Sequence, residues 1–130
     1  GDLYLFISVD NHEIFKRAEE NLYYELPISF TDAALGTSVE VPSIDGGKSK
    51  IKIPSGTQHG RQFRLKGKGM PVLRRNLFGD LYIRINTQVP NSLSKRQKEI
   101  LEEFGEIEKN KPDPIIKNFF EKAKKFWRSS

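Results

Sequence analysis

The tetrapeptide Gly-Asp-Leu-Tyr stands twice in this chain, at 1–4 and 79–82, and each copy leads into residues that alternate in hydrophobicity. Leu3, Leu5, Ile7 and Val9 share one face of the first; Leu81, Ile83, Ile85 and Val89 share one face of the second. A period of two is the pattern of a strand with one buried face, and its return behind the same turn signal marks a repeated unit. Residues 1–20 therefore read as the last strand of a preceding β repeat with its connector, the connector being exposed. Residues 21–90 read as a second β domain ending in the equivalent strand, and 91–130 as a helical segment, so the chain reads as the C-terminal part of a longer protein.

Within the second repeat, Leu22, Tyr24, Leu26, Ile28 and Phe30 alternate with Tyr23, Glu25, Pro27 and Ser29. Pro27 has no N–H to donate, so this strand keeps at least one free edge near its middle. Thr31 or Asp32 is placed to cap a helical turn through Ala33, Ala34 and Leu35, and Gly36 to end it. Val39 and Val41 mark a short strand that turns at Asp45, Gly46 and Gly47 into a partner at 48–53. Phe63 and Leu65 give another strand. The Lys66-Gly67-Lys68-Gly69 run reads as a glycine bulge and not a phosphate loop, because no helix pattern follows it. Residues 70–78 read as an irregular loop. The expected fold class is mainly β: a sandwich-like β domain of two small sheets with one short helix, followed by C-terminal helices for dimerisation. A parallel sheet with crossover helices is not expected.

After Asn91 the period changes to 3.6. Ser94 and Gln97 form a capping box ahead of Ile100, Leu101, Phe104 and Ile107, with Gly105 weakening that helix. A breaker at 109–114 precedes a second helix, with Asp113 as its cap and Pro114 in its first turn. At 100° per residue, Ile116, Phe119, Phe120, Ala123 and Trp127 fall in a narrow sector flanked by Ile115 and Phe126. Four large aromatics exceed what a terminal helix needs to cover a small sheet, so these seven residues are the expected dimer interface.

The net charge of +5 admits acidic partners, nucleic acid among them. Lys48, Lys50 and Lys52 lie along one strand face, followed by Arg61, Arg64, Lys66, Lys68, Arg74 and Arg75. A solvated outer face accounts for them, because no aromatics interleave with the charges as single-strand binding needs. Cysteine is absent, which excludes disulfides and thiolate metal sites, and His12 and His59 alone do not make a zinc site. No nucleophile elbow, HExxH helix or phosphate loop is present, and the adjacent carboxylates Glu19 and Glu20, or Glu102 and Glu103, read as solvated charge. Neither a catalytic residue nor a metal ligand is assigned, no membrane-spanning segment is found, and an enzyme is not expected.

DAALG at 32–36, VEVPSIDG at 39–46, IKIP at 51–54, FRLKGKG at 63–69 and GDL at 79–81, with the strand at 21–30, together resemble the C-terminal substrate-binding region of the DnaJ family of J-domain co-chaperones. His12, Phe15, Lys16 and Arg17 resemble that family's connector between two β repeats. The resemblance implies a cytoplasmic homodimer that holds unfolded client polypeptides for transfer to a DnaK-type chaperone. It implies client contacts at Leu5, a remnant of the first repeat's groove, and at Tyr24, Leu26, Val39 and Val41. The J-domain and the cysteine-rich zinc module of full-length members have no counterpart here, since the chain has neither an HPD tripeptide nor a cysteine, so no cofactor is expected. The competing expectations are a basic β domain that binds nucleic acid and a dimerisation module without client contact.

Overall fold

The computed structural model describes residues 13–73 and 75–129. The chain divides into two compact units, Gly1–Pro90 and Asn91–Ser130. In the first, β1 (Lys16–Ala18), β2 (Asn21–Ser29), the short helix α1 (Phe30–Leu35), β3 (Thr37–Pro42), β4 (Lys48–Ile53), β5 (Gln62–Leu65) and β6 (Leu81–Gln88) follow in order. They form a four-stranded sheet ordered β1-β2-β6-β5 and a two-stranded sheet of β3 and β4. The expected two-sheet β unit with one short helix is what the chain builds.

The centre of the larger sheet is β2 paired with β6, from Leu22 opposite Leu81 to Ser29 opposite Gln88, and the pair runs parallel. Alternation left the strand direction open. The return path between the two strands runs through the short helix α1, the β3–β4 hairpin and β5, in place of the single long crossover helix that usually links parallel neighbours. Leu22, Leu81, Ile83 and Ile85 are wholly buried along this pair. At about 1.5–3 kcal/mol for each such side chain, these four anchor the unit. Val41, Ile51 and Ile53 of the smaller sheet close the core from the other side, joined by Met70. Val89 does not share the buried face of Leu81: β6 ends at Gln88, and Val89 stands exposed before Pro90, which restricts its backbone.

The hairpin turns where glycine permits it. Gly46 takes φ 91°, its N–H donates to the Ser43 carbonyl at 3.0 Å, and Asp45 Oδ1 accepts from the Gly47 N–H at 2.8 Å. The cap of α1 is Ser29, whose Oγ accepts from the Asp32 N–H at 3.1 Å, so the helix begins before Thr31 and Asp32, the expected caps. Gly36 ends it at φ 85°. Nor is the connector ahead of β2 wholly exposed: β1 lies in it, and Phe15 is buried against Tyr24 with the rings edge to face at 5.2 Å.

The second unit holds α2 (Lys95–Asn110) and α3 (Pro114–Ser129). Ser94 Oγ accepts from the Gln97 N–H, and the Gln97 side chain accepts from the Ser94 N–H, which completes the capping box. Asp113 Oδ1 accepts from the Ile115 N–H at 2.8 Å at the start of α3. No helix among the described residues is long and apolar enough to cross a membrane.

Candidate functional site

The outward face of the larger sheet carries an open groove of about 520 Å³, lined by Glu13, Ile14, Lys16, Tyr23, Tyr24, Glu25, Gln62, Tyr82 and Arg84. Its floor follows from register. Tyr23 stands directly opposite Tyr82 across the parallel pair, and the two rings stack 5.1 Å apart at 13°. Two residues further along on the same face, Glu25 faces Arg84 at 3.7 Å, a solvent-exposed pair of small energetic weight. Exposed Ile14 adds apolar surface at the rim. The groove is thus aromatic in its centre and mixed in charge around it.

Beside this groove runs an open strand edge. β1 covers β2 only at Asn21, Leu22 and Tyr23, so among the described residues the same edge is unpaired from Tyr24 to Ser29. Pro27 lies on that stretch, where no neighbouring strand asks a donor of it. An edge of this length can accept an added strand of a few residues, whose alternate side chains then reach either face.

The residues expected to touch client divide by depth. Tyr24 and Val41 are buried in the core, and the Tyr24 hydroxyl donates to the Pro42 carbonyl at 3.1 Å, which ties the larger sheet to β3. Burial pushes the Tyr24 phenol up to about 12. Leu26 and Val39 are half-buried and pack against the core from its margin. Leu5 lies outside the described residues. Sequence reading missed Ile14, Tyr23, Tyr82 and Arg84, because Tyr23 and Tyr82 lie far apart in the chain and only the β2–β6 register makes them a pair. The same register supplies stacking aromatics next to Lys16 and Arg84, which the linear sequence does not reveal. Glu13 and Glu25 in the same groove oppose phosphate.

The Gly-Asp-Leu signature has a structural office. Asp80 accepts from the Gly67 N–H at 2.9 Å and from Arg64 Nε at 2.7 Å, and its own N–H donates to Asn21 Oδ1 at 2.8 Å. The Gly67 N–H, then Arg64, holds its carboxyl below the usual aspartate value. Gly67 reaches φ 74° to make this turn, so the Lys-Gly-Lys-Gly run closes β5 onto the start of β6. The expected loop at 70–78 holds no strand among the described residues, but main-chain bonds tighten it into a hairpin-like return. The Gly79 N–H donates to the Met70 carbonyl, the Val72 N–H to the Leu77 carbonyl, and Pro71 bridges to Phe78.

In the second unit, the residues expected to pair two protomers line one side of α3. Ile115, Ile116, Phe119, Phe120, Phe126 and Trp127 are exposed, with Phe119 at 63% and Trp127 at 64%, and Ala123 is half-buried. The Phe119 and Phe120 rings meet edge to face at 5.1 Å. No group of three or more His, Cys, Asp or Glu suited to a metal ion occurs among the described residues.

A β unit of two small sheets built on a parallel β2–β6 pair, followed by two amphipathic helices, defines the class of domain. Family models for the DnaJ C terminal domain and the Chaperone protein DnaJ C-terminal region match residues 1–90 and 96–129 respectively. The chain belongs to the DnaJ C-terminal domain family. It is 63% identical over 129 residues to the Chaperone protein DnaJ of Pelagibacter ubique (strain HTCC1062), covering 99% of this chain and 34% of that protein. It is 52% identical over 127 residues to the proteins of the same name from Brucella suis biovar 1 (strain 1330) and Brucella melitensis biotype 2 (strain ATCC 23457), covering 98% of this chain and 34% of each. The chain spans about a third of the length of these curated relatives.

Proposed function

We propose that this chain is the C-terminal part of a DnaJ-type cytoplasmic co-chaperone that joins two protomers and helps hold unfolded client polypeptide for transfer to a DnaK-type chaperone. It acts without catalysis or a cofactor of its own. The observation that carries the reading is the apolar face of α3, on which Ile116, Phe119 and Phe120 are exposed. Burying each such side chain is worth about 1.5–3 kcal/mol, so two copies of this face together offset an association cost of roughly 4–15 kcal/mol. A two-fold pairing lets each stripe cover the other. Client contact is supported by the open β2 edge and the groove beside it. An extended segment added along that edge reaches half-buried Leu26 and Val39 on one face and Tyr23 on the other, while buried Tyr24 and Val41 support the strand from beneath.

Replacing Phe119, Phe120 and Trp127 together with serine is expected to give a folded monomer. An unmodified chain that is monomeric by light scattering at tens of micromolar, or a triple variant that still dimerises, removes α3 as the contact. An extended apolar peptide is expected to shift the amide signals of Leu26, Val39 and Tyr23. Silence at all three at millimolar peptide ends the client reading and leaves a dimerisation module. The Tyr23–Tyr82 stack beside Lys16 and Arg84 is what favours the nucleic-acid reading. That reading requires binding to a single-stranded oligonucleotide that weakens steeply from low to moderate salt, whereas apolar client binding does not.

A further inference from the structure

The hairpin between β5 and β6 displays apolar side chains that its own unit does not bury. Met70 at its base is 2% exposed, yet Leu73 is 86%, Leu77 57% and Phe78 53% exposed. Main-chain hydrogen bonds tie the described residues around these side chains. The Gly69 N–H donates to the Gly79 carbonyl, the Met70 N–H to the Glu20 carbonyl, the Val72 N–H to the Leu77 carbonyl and the Arg75 N–H to the Val72 carbonyl. Three large apolar side chains exposed within the six residues 73–78 concentrate apolar surface on one return of the chain, unlike singly scattered exposure that needs no explanation. The described charged side chains within it and at its base strand end, Lys68 and Arg75, are basic, while Glu20 meets its root through the main chain. Lys68 and Arg75 are exposed and form no ion pair among the described residues. Asp80, the nearest acid in sequence, is already engaged by Arg64 and the Gly67 N–H.

We infer that this hairpin is a second contact for unfolded polypeptide, and that it selects segments in which apolar residues stand next to acidic ones. The inference rests on the reading of the chain as a client-holding domain and gives it a chemical preference. The apolar trio supplies contact area without a deep pocket, as suits a loose and sequence-tolerant grip. Lys68 and Arg75 add attraction for carboxylates and repel segments flanked by lysine or arginine. The groove beside β2, with Glu13 and Glu25 against Lys16 and Arg84, offers no such sign preference.

The test uses the whole chain and two peptides of equal length, both with a Leu-Phe-Leu centre, one flanked by glutamates and the other by lysines. The glutamate peptide is expected to bind about threefold to tenfold tighter at low salt, the range that a few exposed charge pairs supply. It is expected to shift the amides of Leu73, Leu77 and Phe78. Leu73→Ser, Leu77→Ser and Phe78→Ser combined are expected to abolish those shifts with an unchanged far-ultraviolet circular dichroism spectrum, and Arg75→Glu alone to erase the preference between the peptides. Shifts at Tyr23, Leu26 and Val39 with none in the hairpin overturn this inference and leave the proposed function standing; silence at both places overturns both. Equal affinity for the two peptides, or binding of the chain to phosphatidylglycerol vesicles through the hairpin with no peptide binding there, also overturns it.

Discussion

Substituting Gly79 by alanine tests the glycine, among those described, whose added Cβ would meet main chain most closely. A Cβ at Gly79 would stand 2.1 Å from the Glu20 carbonyl oxygen, 2.6 Å from its carbon and 2.9 Å from Asn21 Oδ1. A carbon beside a carbonyl oxygen ordinarily rests at about 3.3 Å or more, so the lead into β2 must retreat by about 1.2 Å. Three hydrogen bonds span that seam: Met70 N–H to Glu20 O at 2.7 Å, Leu22 N–H to Asp80 O at 2.9 Å, and Asp80 N–H to Asn21 Oδ1 at 2.8 Å. A retreat of that size takes all three beyond bonding distance, at about 1 kcal/mol each. Packing strain adds roughly 1–3 kcal/mol, and the stiffer unfolded chain returns about 0.4–1 kcal/mol. The net expectation is a loss of about 3–5 kcal/mol, a large part of a domain stability of roughly 5–15 kcal/mol. All four tyrosines lie in 1–90 and the single tryptophan in α3, so tyrosine near-ultraviolet dichroism in urea follows the β unit separately. The midpoint should fall by about 2 M or more. Gly56→Ala is the comparison: no atom lies within 4 Å of its added Cβ, but φ is +77°, so only the left-handed backbone cost of about 1–2 kcal/mol applies. If Gly79→Ala costs no more than Gly56→Ala, steric exclusion at the seam is the wrong account.

Ile83→Ala, at a wholly buried position of β6, is expected to cost about 2–5 kcal/mol in the same urea experiment. Tyr24→Phe should cost about 0.5–1.5 kcal/mol through the lost bond to Pro42 and remove a late step near pH 12 from the tyrosine absorbance titration. Because the folded Tyr24 pKa is raised, its contribution is complete below the ordinary value of 10.0 and is lost as pH rises toward 12. Asp80 works in the opposite sense: its depressed folded pKa gives a contribution present above the ordinary value of 3.8 and lost as pH falls below it, so Asp80→Asn should flatten the acid limb of the stability curve. Gly105→Ala, with nothing within 4 Å of the new Cβ inside α2, should raise the helical dichroism and stabilise that helix by about 0.5–1 kcal/mol.

The sequence by itself determined what depends on near neighbours along the chain. Alternation in Leu22–Ile28 and Leu81–Ile85 set which faces are buried, because successive side chains in a strand point to opposite sides. Asp45-Gly46-Gly47 set the hairpin, Ser94 with Gln97 set the start of α2, and the 100° spacing of Phe119, Phe120 and Trp127 set the stripe on α3. Even there a local competition misled: three residues near α1 can cap, and the backbone leaving β2 gave the office to Ser29. What only the tertiary structure decided depends on which distant residues become neighbours. That β2 and β6 run parallel follows from the path of the chain between them, which alternation does not encode. The same pairing sets Tyr23 on Tyr82 and closes Gly79 onto Glu20, while the short β1 leaves the other β2 edge unpaired past Tyr23 among the described residues. Exposure at the 69–79 hairpin is of this kind too. Leucine and phenylalanine there read as loop residues of no consequence until the fold buries Met70 and leaves Leu73, Leu77 and Phe78 outside.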